Sequence, residues 1–162
     1  MLTARGIGDR VAVLHAGSGS TKKNWPLDRF REIARRLRSD AGRQVVWLSG
    51  PAEQDRGTLA SLGPEEIVLA DLSLEQVAAV LALADVYVGN DSGITHIAAA
   101  VRRPGGRATP TVALFGPTDP QIWGPQGPHS RTVRSDDGAV NRIDVERVWA
   151  EVRAITSSSP KG

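Results

Sequence analysis

A parallel α/β sheet flanked by helices is the fold class this 162-residue sequence predicts, on three observations. Short apolar runs such as Val11-Ala12-Val13-Leu14-His15 and Thr111-Val112-Ala113-Leu114-Phe115 lack the alternation of a half-exposed strand, as strands buried on both faces do. Segments with apolar residues at helical spacing separate these runs, which suggests right-handed crossovers between parallel strands. The glycine, lysine and aspartate clusters all follow strands, and in an open parallel sheet those loops share the carboxyl edge where ligands bind.

Taken in order, residues 1–10 are polar and glycine-containing and read as a linker or truncated edge, ahead of one domain over residues 11–155. The first strand covers residues 11–15. Its following loop, residues 16–25, combines small residues with Lys22 and Lys23 before Pro26, a good first helical residue. The loop misses the P-loop pattern, which needs a Gly-Lys-Ser/Thr ending, and the dinucleotide fingerprint, whose last glycine is Lys22 here. Leu27, Phe30, Ala34 and Leu37 give the next helix an inward face, while Arg29, Arg31, Arg35, Arg36 and Arg38 form a solvated outer one.

A second strand is expected over residues 44–48, closed by Ser49-Gly50-Pro51, and a polar helix over about residues 52–62. Glu53 near that helix start stands where a second-strand acid meets ribose hydroxyls in nucleotide folds, and is equally an acid favoured by the helix dipole. Ile67-Val68-Leu69 is a brief third strand, and Ser73 with Gln76 forms a capping box for a helix over residues 74–84. Residues 102–110 read as a loop, residues 111–115 as a strand, and Gly116-Pro117-Thr118-Asp119-Pro120 as a rigid turn at its carboxyl end. Residues 131–133 are weakly patterned. Val145, Val148, Trp149, Val152 and Ile155 mark a final helix, and residues 156–162 have the composition of a disordered tail.

The stretch around which these elements are organised is residues 86–100, read as strand, tight turn and helix with no spare residue. Val86-Tyr87-Val88 is followed by turn formers and two glycines, after which Ile94, Ile97, Ala98 and Val101 recur at helical spacing. Asp91 or Ser92 is the natural N-cap. The unpaired N–H groups of such a helix start, with the positive end of its dipole, favour an anion such as phosphate, although a glycine at a strand-to-helix turn is also ordinary punctuation. Asp91 would repel phosphate unless it caps the helix, pairs with a lysine or binds a neutral hydroxyl. His96 lies off the apolar stripe, as a partly exposed helix histidine does.

With 40% hydrophobic and 23% charged residues the chain can bury one core, and its formal charge of +2 does not indicate nucleic acid. Aromatic residues are 4%, with none interleaved in a basic run to stack bases. The absence of cysteine excludes disulfides and thiolate chemistry, and no histidine and carboxylate spacing makes a metal site. No stretch has signal-peptide or membrane-spanning character, which points to a cytoplasmic protein.

Three motifs together, Gly17-Ser18-Gly19-Ser20-Thr21-Lys22-Lys23-Asn24-Trp25-Pro26, Gly89 through Ala100, and Leu114-Phe115-Gly116-Pro117-Thr118-Asp119-Pro120, resemble glycosyltransferase family 9, the ADP-heptose lipopolysaccharide heptosyltransferases. The resemblance covers roughly residues 11–128 and implies a Rossmann-like domain, the donor-binding half of a two-domain GT-B fold. It implies a nucleotide sugar as substrate, ADP-heptose in the family, with no separate cofactor. The lipopolysaccharide core acceptor and the catalytic base would be held by an amino-terminal domain outside this sequence. Carried over by position, Lys23 falls at the donor phosphates with Lys22 as its understudy and Ser20 and Thr21 in the same loop. Asp91, Ser92 and Gly93 surround the diphosphate and sugar, His96 lies one turn on, Glu53 meets the ribose, and Thr118 and Asp119 belong to the terminal loop. Residues 105–109 look inserted relative to the family. The competing reading is a non-catalytic nucleotide or nucleotide-sugar binding module, and a third is weak nucleic-acid binding through Arg102, Arg103, Arg107 and the arginine-rich helix.

Overall fold

In the computed structural model, which describes residues 8 and 10–157, successive side chains of the first strand enter two different cores. Ala12 and Leu14 pack on one face of the sheet with Phe30, Leu37, Val148 and Val152, and Val11 and Val13 pack on the other with Val77, Leu81 and Ala98. The period of two along a strand therefore feeds two helical layers, the reason the strands read as continuous apolar runs.

Six strands, β1 (Val11–His15), β2 (Gln44–Ser49), β3 (Ile67–Ala70), β4 (Val86–Asn90), β5 (Thr111–Phe115) and β6 (Ser130–Arg134), form one sheet in the order β3-β2-β1-β4-β5-β6. Every pairing is parallel. Helices α1 (Leu27–Ser39) and α6 (Val145–Ser157) supply the first core, α3 (Leu74–Leu83) and α4 (Gly93–Ala100) the second, and α2 (Pro51–Asp55) and α5 (Pro120–Trp123) are short pieces at strand exits. This is the doubly wound, Rossmann-like order, whose chain direction across the sheet reverses between β1 and β4.

The expected elements and the observed ones part at several points. The polar helix ends at Asp55 instead of reaching residue 62, because Gly57 takes a positive φ of 60° and turns the chain, and no apolar stripe holds residues 56–62 helical. Ser73 and Gln76 make both capping-box bonds, and the helix they open ends one residue early, at Leu83. The segment 130–134 is a full edge strand, hidden in the sequence because only Val133 of its five residues is buried. Pro26 is the N-cap of α1 and Leu27 its first residue. The last helix takes in Thr156 and Ser157 of the expected tail, with the Thr156 hydroxyl donating to Val152 O at 2.7 Å; residues 158–162 lie outside the described residues, as do 1–7 and 9 of the expected linker.

The apparent insertion forms a small hairpin bridged between Arg102 and Ala108. It follows α4, which runs away from the carboxyl edge, so it sits at the opposite edge of the sheet. There Arg103 pairs with Asp85 at 2.8 Å and the Thr109 hydroxyl donates to Leu81 O at 2.8 Å. Nor is the arginine-rich helix a free cationic face: Arg31 pairs with Asp28, Arg35 with Glu32, Arg36 with Glu32 and Glu146, and Arg38 with Glu66. Arg29 departs from the expected solvated face and donates to the Ile143 carbonyl at 2.6 Å. Among the described residues no helix is long and apolar enough to cross a membrane.

Candidate functional site

The carboxyl ends of β1 and β4 lie side by side at the point where the sheet order reverses, and the loops leaving them are stitched together by Asn90. Its side chain is fully buried; Nδ2 donates to Ala16 O at 2.8 Å and Oδ1 accepts the Trp25 N–H at 3.0 Å. Trp25 is pinned from its other side by an indole N–H to Ile143 O at 2.9 Å and an edge contact with Phe30. The Trp-Pro pair that starts α1 is thus an anchor. The nine-residue loop before it is thereby tied down at its end, and its Thr21–Lys23 single turn of 3₁₀ helix carries Lys23.

Lys23 Nζ meets Asp91 Oδ2 at 2.7 Å, and the Thr118 hydroxyl donates to the same oxygen at 2.6 Å. Of the three roles open to Asp91, the structure shows two, pairing with a lysine and accepting from a neutral hydroxyl, that of Thr118. Ser92 occupies the N-cap position of α4, with no cap bond from its side chain. The Asp91 side chain is 7% exposed and that of Lys23 29%, so the lysine is the accessible member of the pair. The N–H groups of Gly93 and Ile94, first in the helix, have no intrahelical acceptor and open beside this pair. A Cβ built at Gly93 would meet no atom within 4 Å outside its chain neighbours and the backbone of its own helix: no packing against other elements explains a glycine there.

Beside the helix start lies a cavity of about 440 Å3, floored by Leu48, Leu69, Leu72, Val77, Ile94 and Ile97 and rimmed by His15, Ser18, Gly50, Glu53, Ser92 and Gly93. A mostly apolar pocket with a few converging polar groups is the usual form of a small-molecule site. Glu53 reaches it because its carboxylate folds back over the start of α2: Oε2 accepts the Gly50 N–H at 2.6 Å and lies 3.5 Å from His15 Nε2. The imidazole holds this carboxyl below its ordinary range, against the opposing effect of burial, and so favours the ionised form. Gly17 is required here for close approach, since a Cβ would fall 1.7 Å from Glu53 Oε1. Arg56 tightens the same loop by donating to Ser18 O at 2.8 Å.

Of the expected residues, Glu53, Ser92 and Gly93 line the cavity, and Lys23, Asp91 and Thr118 form a bonded cluster at the loop that leads into the same helix start. Other expected residues are placed less directly. Ser20 is half-buried and serves the loop through its carbonyl, which accepts from Ser18 Oγ at 2.7 Å and from the Lys23 N–H at 3.0 Å. Thr21, Lys22 and His96 are exposed, His96 one turn into α4. Asp119 caps α5, accepting the Gln121 N–H at 2.9 Å, so its side chain is engaged with its own helix. His15 and Asn90 were not among the expected site residues; each is a polar residue ending an otherwise apolar strand, the signal that marks them. Among the described residues no group of three or more histidines and carboxylates is placed to hold a metal ion.

Known proteins resemble this chain in sequence and in fold. Lipopolysaccharide heptosyltransferase 1 of Salmonella typhimurium is 29% identical over 147 residues, which are 90% of this chain and 44% of that protein. The solved Escherichia coli ADP-heptose lipopolysaccharide heptosyltransferase II superposes with a TM-score of 0.80 at 28% identity, covering 97% of this chain and 50% of that one. The E. coli heptosyltransferase WaaC with ADP superposes with a TM-score of 0.76 at 30% identity, covering 91% and 44%. The chain therefore spans about half the length of these relatives. The model of the family described as "Glycosyltransferase family 9 (heptosyltransferase)" matches residues 3–149, most of the sequence, and the chain belongs to that family.

Proposed function

We propose that this chain is the donor-binding half of a glycosyltransferase that transfers heptose from ADP-heptose to a lipopolysaccharide core acceptor. The observation that carries the reading is the continuity, at the switch point of the sheet, between an apolar cavity with an acid at its rim and a helix start with a lysine beside it. Such a surface matches a nucleoside diphosphate end to end. The base would lie against Leu48, Leu69 and Val77, the ribose hydroxyls at Glu53, and the phosphates at the N–H groups of Gly93 and Ile94 and at Lys23. Among the relatives, the ADP complex of WaaC supports the choice of nucleotide.

Transfer breaks the bond between the anomeric carbon and the diphosphate oxygen, and negative charge grows on the departing ADP. Lys23 and the start of α4 are fixed donors aimed where that charge develops, and such preorganised donors need no reorganisation at the moment of reaction. Asp91 keeps Lys23 in place before the donor arrives. The acceptor surface, and the base for the attacking hydroxyl, would come from the part of the relatives that this chain does not match. Reaction with a nucleotide sugar and a core oligosaccharide fits a cytoplasmic enzyme working at the inner membrane.

Titration calorimetry with ADP, UDP, GDP and ADP-heptose tests the proposal. Preferential binding of ADP and ADP-heptose is expected. Binding of ADP alone, with no gain from the sugar, favours the non-catalytic nucleotide module instead, and no binding of any nucleotide overturns both.

A further inference from the structure

We infer that His15 is a positioning residue that determines ribose recognition, holding the Glu53 carboxylate where a ribose hydroxyl meets it and tying it to Ser92 at the phosphate end. The inference rests on the nucleotide-sugar reading above. His15 ends β1 at the switch point and is 4% exposed, with Nε2 3.5 Å from Glu53 Oε2 and Nδ1 3.4 Å from Ser92 Oγ. One ring thus touches the residues assigned to the two ends of the ligand, on the β2 and β4 sides of the cavity.

The arrangement of protons follows from what each group can donate. A carboxylate only accepts, so Nε2 carries a proton toward Glu53, and Nδ1 is left to exchange a bond with Ser92. Further along, the Thr95 hydroxyl donates to Asn90 O, and the buried Tyr87 hydroxyl, 2.9 Å from Thr95 Oγ1, donates to it in turn. Thr95 has no second proton to give, so at the 3.3 Å contact between them Ser92 is the donor whenever that bond forms. The single Ser92 proton therefore points to His15 or to Thr95, within the protein. Glu53 is confined just as closely: the Gly50 N–H and the imidazole hold Oε2, and Oε1 rests against Gly17. Removing the imidazole frees the carboxylate to leave the rim while the rest of the cavity stands.

The test is calorimetry on the 162-residue chain with ADP, 2′-deoxy-ADP and 3′-deoxy-ADP. The unmodified chain should favour ADP over the weaker deoxy analogue by about tenfold, the size of one hydrogen bond to a charged group. His15→Phe should erase that preference, as Glu53→Gln does. His15→Gln, whose amide can still donate to Glu53, should retain it, and His15→Asn, which is too short, should lose it and stands in if the Phe variant does not fold. A purely structural role predicts that ADP and both analogues weaken together with the ratio intact, and that outcome overturns the inference. So does an unmodified chain that binds ADP without preference. A chain that binds no nucleotide defeats the underlying reading.

Discussion

Lys23 and Asp91 lie 68 positions apart in the sequence and meet at 2.7 Å, which makes the charge that the site shows a ligand a property of the pair. Asp91 is nearly buried, and the Thr118 hydroxyl closes on the same oxygen, so its negative charge is compensated from two sides. A carboxylate beside a phosphate site is repulsive when unpaired. Paired, it orients the lysine and delays its loss to solvent.

Substitution at the two ends of this pair should move binding in opposite directions. Lys23→Ala removes the cation and exposes an uncompensated carboxylate, so ADP affinity should fall by about ten- to a hundredfold, the value of roughly 1.5–3 kcal/mol for a charge-assisted hydrogen bond. Asp91→Asn leaves the lysine unneutralised, and ADP should bind as tightly or more tightly, with a steeper dependence on salt. Calorimetry at two salt concentrations checks both; loss of ADP binding in Asp91→Asn would mean that Asp91 itself contacts the ligand.

Gly93→Val separates ligand space from protein packing. A Cβ at this position meets nothing within 4 Å outside its chain neighbours and the backbone of its own helix, so the folded chain should tolerate the change with a melting temperature close to the parent. The added branches would instead stand over the N–H groups of the helix start and exclude phosphate. ADP should no longer raise the melting temperature of the variant. A variant that still responds normally to ADP moves the phosphate site away from α4.

Much of this arrangement is legible in the sequence because the local signals agree. The runs at residues 11–15 and 111–115 coincide with β1 and β5, since a strand buried on both faces has no competing pattern. The three glycine-, lysine- and aspartate-bearing loops gather at one edge because every strand is parallel. Illegible parts depend on distant contacts. His15 and Asn90 look like the frayed ends of apolar strands until Glu53 and Trp25 are placed beside them. Asp119 sits in a matching motif, yet its side chain is taken by a cap two residues away.

The pH response of stability should carry the signature of Glu53. His15 holds this carboxyl below its ordinary range, so the folded state binds the ionised form more favourably than the unfolded state does. The resulting stabilisation is complete above the unfolded value of about 4.3 and is lost as pH falls through the lower, folded value. Thermal melts of the parent and Glu53→Gln should differ most near neutrality and converge in acid. A gap that stays constant down to the lowest measurable pH excludes an ionised Glu53 as its source.

Activity should separate from binding in the polypeptide of these 162 residues. Sugar transfer needs donor and acceptor in register, and most of the gain from positioning two reactants disappears when one of them has no surface to bind. The chain spans about half the length of the heptosyltransferases it resembles, and its carboxyl edge supplies one ligand surface. A positioned base typically contributes about a hundred- to ten-thousandfold, and the three expected site carboxylates are already engaged: Asp91 is paired with Lys23, Glu53 is held by His15 and Gly50, and Asp119 caps α5. ADP-heptose should therefore bind and raise the melting temperature, while incubation with a truncated lipopolysaccharide acceptor yields at most slow transfer by mass spectrometry. Robust product from this polypeptide alone would place the base within it, and Asp91, released from Lys23 by the incoming diphosphate, would be the first residue to test.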